Sequence, residues 1–277
     1  MSIVVRELCK SFDMGKGRPA VVAANKVSFD LAPGESLGLV GESGSGKTTV
    51  ARMLVGLETP DSGSVEIAGR DRALNRRGAA GRKERAAEIQ MVFQDPYGSL
   101  DRRLSVSQCL GQALKLQSPL RGDELQRAIT ELMNSVRLEP RLLSSFPHQL
   151  SGGQRQRLAI ARALASSPKL LVLDEAVSAL DVSVQAQILQ VLNEIRAERG
   201  IALLFVSHDL AVIQEVSDKV MVMYRGDPIE QGIVSDVLQN PQHDYTKLLI
   251  SSVPGLGWDP DEVMARRREF DLLQSVR

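Results

Sequence analysis

The residues of this chain best suited to chemistry are suited to phosphate. Gly41-Glu42-Ser43-Gly44-Ser45-Gly46-Lys47-Thr48 fits the pattern G-x-x-x-x-G-K-[ST]. Glycines at these spacings let the backbone curl so that successive N–H groups point inward, and a helix N-terminus adds about half a positive charge. Lys47 can then reach β- and γ-phosphates, and the Thr48 hydroxyl can ligate Mg²⁺; Thr49 completes the phosphate-binding set.

Three further groups lie at the carboxyl ends of apolar runs, where an open parallel sheet places its ligand crevice. Leu170 to Leu173 runs into Asp174-Glu175. Asp174 is suited to hold Mg²⁺ through water, and Glu175 to polarise the water that attacks a γ-phosphate; the competing reading is a helix start capped by acids. His208 follows Ala202 to Val206 and Ser207 and is placed to contact the γ-phosphate. Gln94 follows Met91-Val92-Phe93 and could ligate Mg²⁺ or position water.

Leu150-Ser151-Gly152-Gly153-Gln154 is a second glycine-rich turn opening a helix. Ser151 and Gln154 satisfy the S-x-x-Q capping box, so a plain helix start is a serious alternative. Glycine within a helix costs about 0.5–1 kcal/mol relative to alanine. Two in one first turn suit capping poorly, but they suit close approach of an anion to exposed N–H groups.

These groups need a scaffold of alternating strands and helices. Val27, Phe29 and Leu31 alternate with Ser28 and Asp30 before Pro33-Gly34, and Val65 and Ile67 repeat the pattern, so the first part reads as antiparallel sheet. Leu37-Gly38-Leu39-Val40 is apolar on both faces, as a central parallel strand should be. Val50, Met53, Leu54 and Leu57 form one helical face with Gly56 near its C-cap. From about Ser105 to Arg137 the chain is helix-rich, with Asp123-Glu124 opening one helix and Leu125, Ile129, Leu132, Met133 and Val136 as its stripe. Met221 to Tyr224, Arg225-Gly226-Asp227 and Pro228 to Glu230 read as strand, turn and strand. The fold expected is α/β, a P-loop NTPase core with a wound, mainly parallel sheet, an N-terminal antiparallel β-subdomain and an inserted α-helical subdomain.

Composition narrows the partners. The chain has 277 residues, 43% of them hydrophobic and 25% charged, as in an ordinary globular protein. Lys plus Arg and Asp plus Glu number 34 each, so net charge points to no nucleic-acid or anionic-membrane partner. Arg76, Arg77, Arg82, Lys83 and Arg85 read as a solvated surface, and Arg266-Arg267-Arg268 as part of a packing helix with Phe270, Leu272 and Leu273. Cys9 and Cys109 form no CxxC pair, which favours reduced thiols over a metal site or disulfide. Met1 to Glu7 lacks the pattern of a secretory signal, and no segment approaches roughly 20 consecutive apolar residues. Work at a membrane would require docking on a chain that spans it.

The order Phe12, Gly41 to Thr48, Gln94, Leu150 to Gln154, Asp174-Glu175, Ser178-Ala179-Leu180-Asp181 and His208 resembles the motif set of ATP-binding-cassette (ABC) proteins, over residues 3 to 235. The resemblance implies that Phe12 stacks on adenine, the alternative being a core aromatic. It implies a head-to-tail pair in which Ser151, Gly152, Gly153 and Gln154 of one subunit close on ATP held by Lys47 of the other. Asp181 would lie at the seam, and Gln94 would link the γ-phosphate to the face that meets a transmembrane partner. Domains are expected at 1–235 for the ATPase, with a helical subdomain near 100–165, and 236–277 for a short C-terminal extension.

Asp95 to Leu100, Asp181 to Gln187 and Asn240 to Leu249 are similar to the peptide and nickel importer branch. That likeness implies an ATP-hydrolysing import subunit using ATP and Mg²⁺, peripheral on the cytoplasmic face of the inner membrane. Its partners would be a second cassette, identical or paralogous, transmembrane permease subunits and, indirectly, an extracytoplasmic solute-binding protein, with no nucleic acid. Several relatives carry a later cysteine cluster for an iron–sulfur site. With no cysteine after Cys109, none is expected here, so either the extension is short or a partner ATPase supplies that function. Rival readings are a soluble cassette acting on nucleic acid or ribosomes, an export or regulatory cassette, and a phosphate-loop kinase or GTPase. No guanine-reading N-K-x-D element supports the last.

Overall fold

The inward alternation of Val27, Phe29 and Leu31 belongs to β2 (Val21–Leu31), which pairs antiparallel with β1 (Ile3–Phe12). In the computed structural model of the protein the described residues are 2–15, 17–72 and 87–253, with Asp259, Asp261, Met264, Arg266, Arg267, Arg268 and Phe270. On its other edge β1 pairs with β4 (Ser62–Ile67), and β5 (Arg70–Asp71) closes the sheet in the order β2-β1-β4-β5. Val65 and Ile67 are buried, as their alternation requires.

The second sheet contains β3 (Ser36–Val40), β6 (Ile89–Val92), β7 (Leu170–Asp174), β8 (Ala202–Ser207), β9 (Lys219–Tyr224) and β10 (Asp227–Ile233), in the order β10-β9-β3-β8-β7-β6. All pairings are parallel except that of β10 with β9. Every residue of β3, β7 and β8 is buried, which explains their two-faced apolar sequences. Register brings the strand ends level. Val40 pairs with Ser207, Asp174 with Val206 and Leu173 with Val92, so the segments carrying Gly41, Glu175, His208 and Gln94 leave the sheet side by side.

Helix α1 (Lys47–Val55) follows β3, with Gly56 as a left-handed C-cap. Val50, Met53 and Leu54 are buried, whereas Leu57 lies past that cap and is 61% exposed, so it does not belong to the buried face. Between β6 and β7 come α2 (Pro96–Ser99), α3 (Val106–Gln117), α4 (Gly122–Ser135) and α5 (Gly152–Leu164). Ile129, Leu132, Met133 and Val136 are buried and Leu125 is half-buried. The buried Arg157 of α5 donates to the Val136 carbonyl at 2.8 Å and to Gln187 at 3.2 Å, tying α4 to the next helix, α6 (Val182–Arg199). Helices α7 (Leu210–Val216), α8 (Val234–Gln239) and α9 (Asp244–Ser251) follow. Asp227 opens β10, not the turn before it. The basic run Arg76 to Arg85 lies outside the described residues, as do Leu272 and Leu273, whereas Phe270 is buried. Among the described residues no helix is long and apolar enough to cross a membrane.

Candidate functional site

The loop between β3 and α1 is shaped by two glycines that no other residue could replace. Gly41 has φ +148° and Gly46 +106°. A Cβ on Gly41 would stand 2.2 Å from the Met223 carbonyl oxygen, and one on Gly46 1.9 Å from that of Ala23. Strands β9 and β2 therefore press on the loop from outside, and the Gly226 N–H fixes it further by donating to the Ser45 carbonyl at 3.0 Å. Ser43 and Gly44 are exposed at its tip, and Glu42 and Thr49 are half-buried.

Lys47 is 5% exposed and donates to the carbonyls of Gly41 and Glu42, each at 2.8 Å. No carboxylate pairs with it among the described residues, and burial holds its ammonium below the usual lysine value. A buried cation resting on neutral dipoles is matched to an incoming anion. Thr48 Oγ1 donates to Asp174 Oδ1 at 3.1 Å, and burial pushes the Asp174 carboxyl up. A hydroxyl and a carboxylate brought together are hard oxygen donors, the set Mg²⁺ takes when phosphate and water complete its shell. Among the described residues no cluster of three or more His, Cys, Asp or Glu could hold a metal.

Beside this pair Glu175 gathers two neighbours. Gln94 Nε2 donates to Glu175 Oε2 at 2.9 Å, and His208 Nδ1 lies 3.3 Å from Oε1. Glu175 itself has φ +48°, a left-handed conformation uncommon for a residue with a side chain, and its N–H donates to the Val206 carbonyl at 2.9 Å. The groups that follow β6 and β8 thus meet at the carboxylate that follows β7.

The second glycine turn stands apart in role. Ser151 caps α5: its Oγ accepts from Gln154 N at 3.3 Å, while Gln154 Oε1 accepts from Ser151 N at 2.9 Å. Packing gives one of the two glycines a further reason to be glycine. A Cβ on Gly153 would sit 2.5 Å from Val184 Cγ1, so Gly153 lets α5 pack on α6; a Cβ on Gly152 would meet Leu180 at an ordinary 3.5 Å. Gly152 is exposed, and its smallness is not demanded by packing. Asp181 is the exposed N-cap of α6 without a side-chain capping bond. Phe12, at the end of β1, is 36% exposed under the Lys10 ammonium at 5.3 Å from its ring, so it is no core aromatic.

Sequence reasoning missed the groups behind the phosphate loop. Tyr224, Arg225, Tyr245 and Arg267 line, with Glu42 and Ser45, a cavity of about 170 Å³. Tyr245 contacts Glu42 from 203 residues away, and no periodicity or local motif could have announced that contact.

Comparison with known proteins gives concordant matches. A family described as ABC transporter matches residues 24–178. The glutathione import ATP-binding protein GsiA of Pectobacterium atrosepticum is 46% identical over 272 residues, 98% of this chain and 42% of that protein. The oligopeptide transport ATP-binding protein OppF of Haemophilus influenzae is 42% identical over 253 residues, 91% of this chain and 74% of that one. The chain thus spans less than half the length of the first relative and about three quarters of the second. A dimeric post-hydrolysis state of the ATP-binding cassette MJ0796, bound to ADP and Pi, superposes with TM-score 0.75 at 28% identity, covering 84% of this chain and 98% of that one.

Proposed function

This chain belongs to the ABC transporter family as an ATP-binding cassette ATPase, and from that premise we propose that it powers import of a peptide-like or related small solute through a separate transmembrane permease. The observation that carries the reading is the meeting of Gln94, Glu175 and His208 beside the Thr48–Asp174 pair, above a loop with a buried, anion-ready lysine.

In this reading the N–H groups of Ser43 to Thr49 and the Lys47 ammonium bind the β- and γ-phosphates. Phe12 offers its exposed ring to adenine, a stacking contact worth roughly 1–3 kcal/mol. Thr48 and Asp174 would hold Mg²⁺, with Gln94 beside them; bound Mg²⁺ neutralises phosphate charge. Glu175 accepts the proton of the attacking water. Gln94 orients that water, and His208 donates a hydrogen bond toward the γ-phosphate. Ser151, Gly152, Gly153 and Gln154 of a second cassette, identical or paralogous, close over the nucleotide from the other side, with Asp181 at the seam. ATP shifts the pair toward closure only by binding the closed state more tightly, and hydrolysis removes that preference.

The relatives' names, glutathione import and oligopeptide transport, support import over export or action on nucleic acid. Peptides, glutathione and nickel chelates are the solute classes proposed. The chain would then sit peripherally on the cytoplasmic face of the membrane, served by an extracytoplasmic solute-binding protein. Residues 1–235 would act as the ATPase, with residues 100–165 as its helical subdomain and 236–277 as an appended segment. Glu175→Gln tests the reading: ATP affinity is retained while turnover falls by at least about 100-fold, the scale of losing a general base. Normal hydrolysis by that variant would remove Glu175 from the role.

A further inference from the structure

We propose that Tyr245 is a positioning residue of the phosphate loop: its phenol oxygen, held by the segment after β10, fixes the Gly41–Glu42 peptide and so sets how readily the loop receives nucleotide. The inference rests on reading Gly41 to Thr48 as the nucleotide site. The Glu42 N–H donates to the Tyr245 hydroxyl oxygen at 3.0 Å. The carbonyl of that same peptide unit, Gly41 O, accepts from Lys47 Nζ at 2.8 Å. One peptide plane is thereby gripped at both ends, by the lysine that meets phosphate and by a tyrosine from the far end of the chain. Gly41, at φ +148° and without a Cβ, is the joint about which that plane could turn. Were it to turn, the Gly41 carbonyl would leave the Lys47 ammonium. The tyrosine thus acts through the peptide on the lysine.

The tyrosine is itself held by a chain of specific contacts. On β10, the Glu230 carboxylate accepts from the N–H groups of Gln242 at 2.8 Å and His243 at 3.0 Å. His243 Nδ1 then accepts from Tyr245 N at 3.1 Å, capping α9 so that its first turn faces the loop. The ring is 1% exposed and packs on Tyr224, with centroids 4.4 Å apart, and on Phe270 at 5.8 Å. Arg267 adds an ion pair to the Glu42 carboxylate at 3.0 Å, so both the backbone and the side chain of Glu42 are tied to this segment. Tyr245 and Arg267 line the cavity of about 170 Å³ beside the loop with Glu42 between them. Burial pushes the phenol up to about 12, so it remains a neutral hydroxyl across the physiological range and presents no negative charge to phosphate.

Tyr245→Phe removes the hydroxyl and keeps the ring stack. In the full chain we expect the Kd for ATP to rise about three- to tenfold, the scale of one hydrogen bond, with the melting temperature falling by no more than the few degrees that one lost hydrogen bond costs. The apparent KM for ATP should rise by the same factor at unchanged kcat. Hydrogen–deuterium exchange should quicken at the Glu42 amide even without nucleotide, a readout that general packing would not move. Unchanged exchange and unchanged ATP affinity in a chain that binds ATP would overturn this inference alone. Failure of the unaltered chain to bind ATP, with Lys47→Ala behaving identically, would overturn the nucleotide reading as well.

Discussion

At the scale of single residues the site is built around two buried ionisable groups. Lys47 is buried on carbonyl dipoles and its ammonium is held below the usual value; Asp174 is buried and its carboxyl is raised. The signs follow from linkage. A raised carboxyl contributes stability below its unfolded value of 3.8 and loses it as pH climbs through the folded value. A depressed lysine contributes stability above 10.5 and loses it as pH falls through its folded value. Near neutrality both groups therefore weigh against the fold. Asp174→Asn should melt higher than the unaltered chain, with a gap that widens as pH rises above 3.8, about 2–4 °C per kcal/mol relieved. Melting curves at several pH values check this; a gap that shrinks with rising pH would refute it. Lys47→Ala should weaken ATP binding by about 10- to 100-fold, the worth of charge-assisted hydrogen bonds to phosphate, measured by titration.

At the scale of elements the two glycines that open α5 differ in what packing asks of them. Gly153→Ala drives its Cβ to 2.5 Å from Val184 and forces α5 off α6. Overpacking of this kind costs about 1–3 kcal/mol, and Val184→Ala in the same chain should recover most of it. Chemical denaturation of the single and double variants measures the coupling directly. Gly152→Asp meets only an ordinary 3.5 Å contact with Leu180, so stability should hold. A carboxylate there would repel a neighbour's phosphates, so ATP-driven pairing should be lost while the variant still binds ATP through its own loop. Retained pairing would refute the second-surface reading.

At the scale of the whole molecule the six-stranded sheet is a device for levelling distant segments. Parallel register aligns the ends of β3, β8, β7 and β6, so residues from Gly41 to His208 reach one edge although 167 positions separate them. The exposed faces of Gln94, His208, Ser151 and Asp181 then lie where other chains could come. Copurification from membranes should bring down two multi-span proteins and a second cassette. Ribosomes or DNA in their place would overturn the import reading.

The sequence by itself determined the fold class and the segments that carry the candidate chemistry. The loop Gly41 to Thr48, the two-faced apolar runs of β3, β7 and β8, and the carboxylates after β7 are local signals, because backbone curvature, periodicity and strand ends are properties of short segments. Tertiary structure alone decided what those segments meet. It set Gly153 against Val184, brought Gln94 and His208 to opposite oxygens of Glu175, and set Tyr245 on the Glu42 amide. These are contacts between residues far apart along the chain. Sheet register and the packing of one helix on another fix them, and neither leaves a periodic mark in a single sequence.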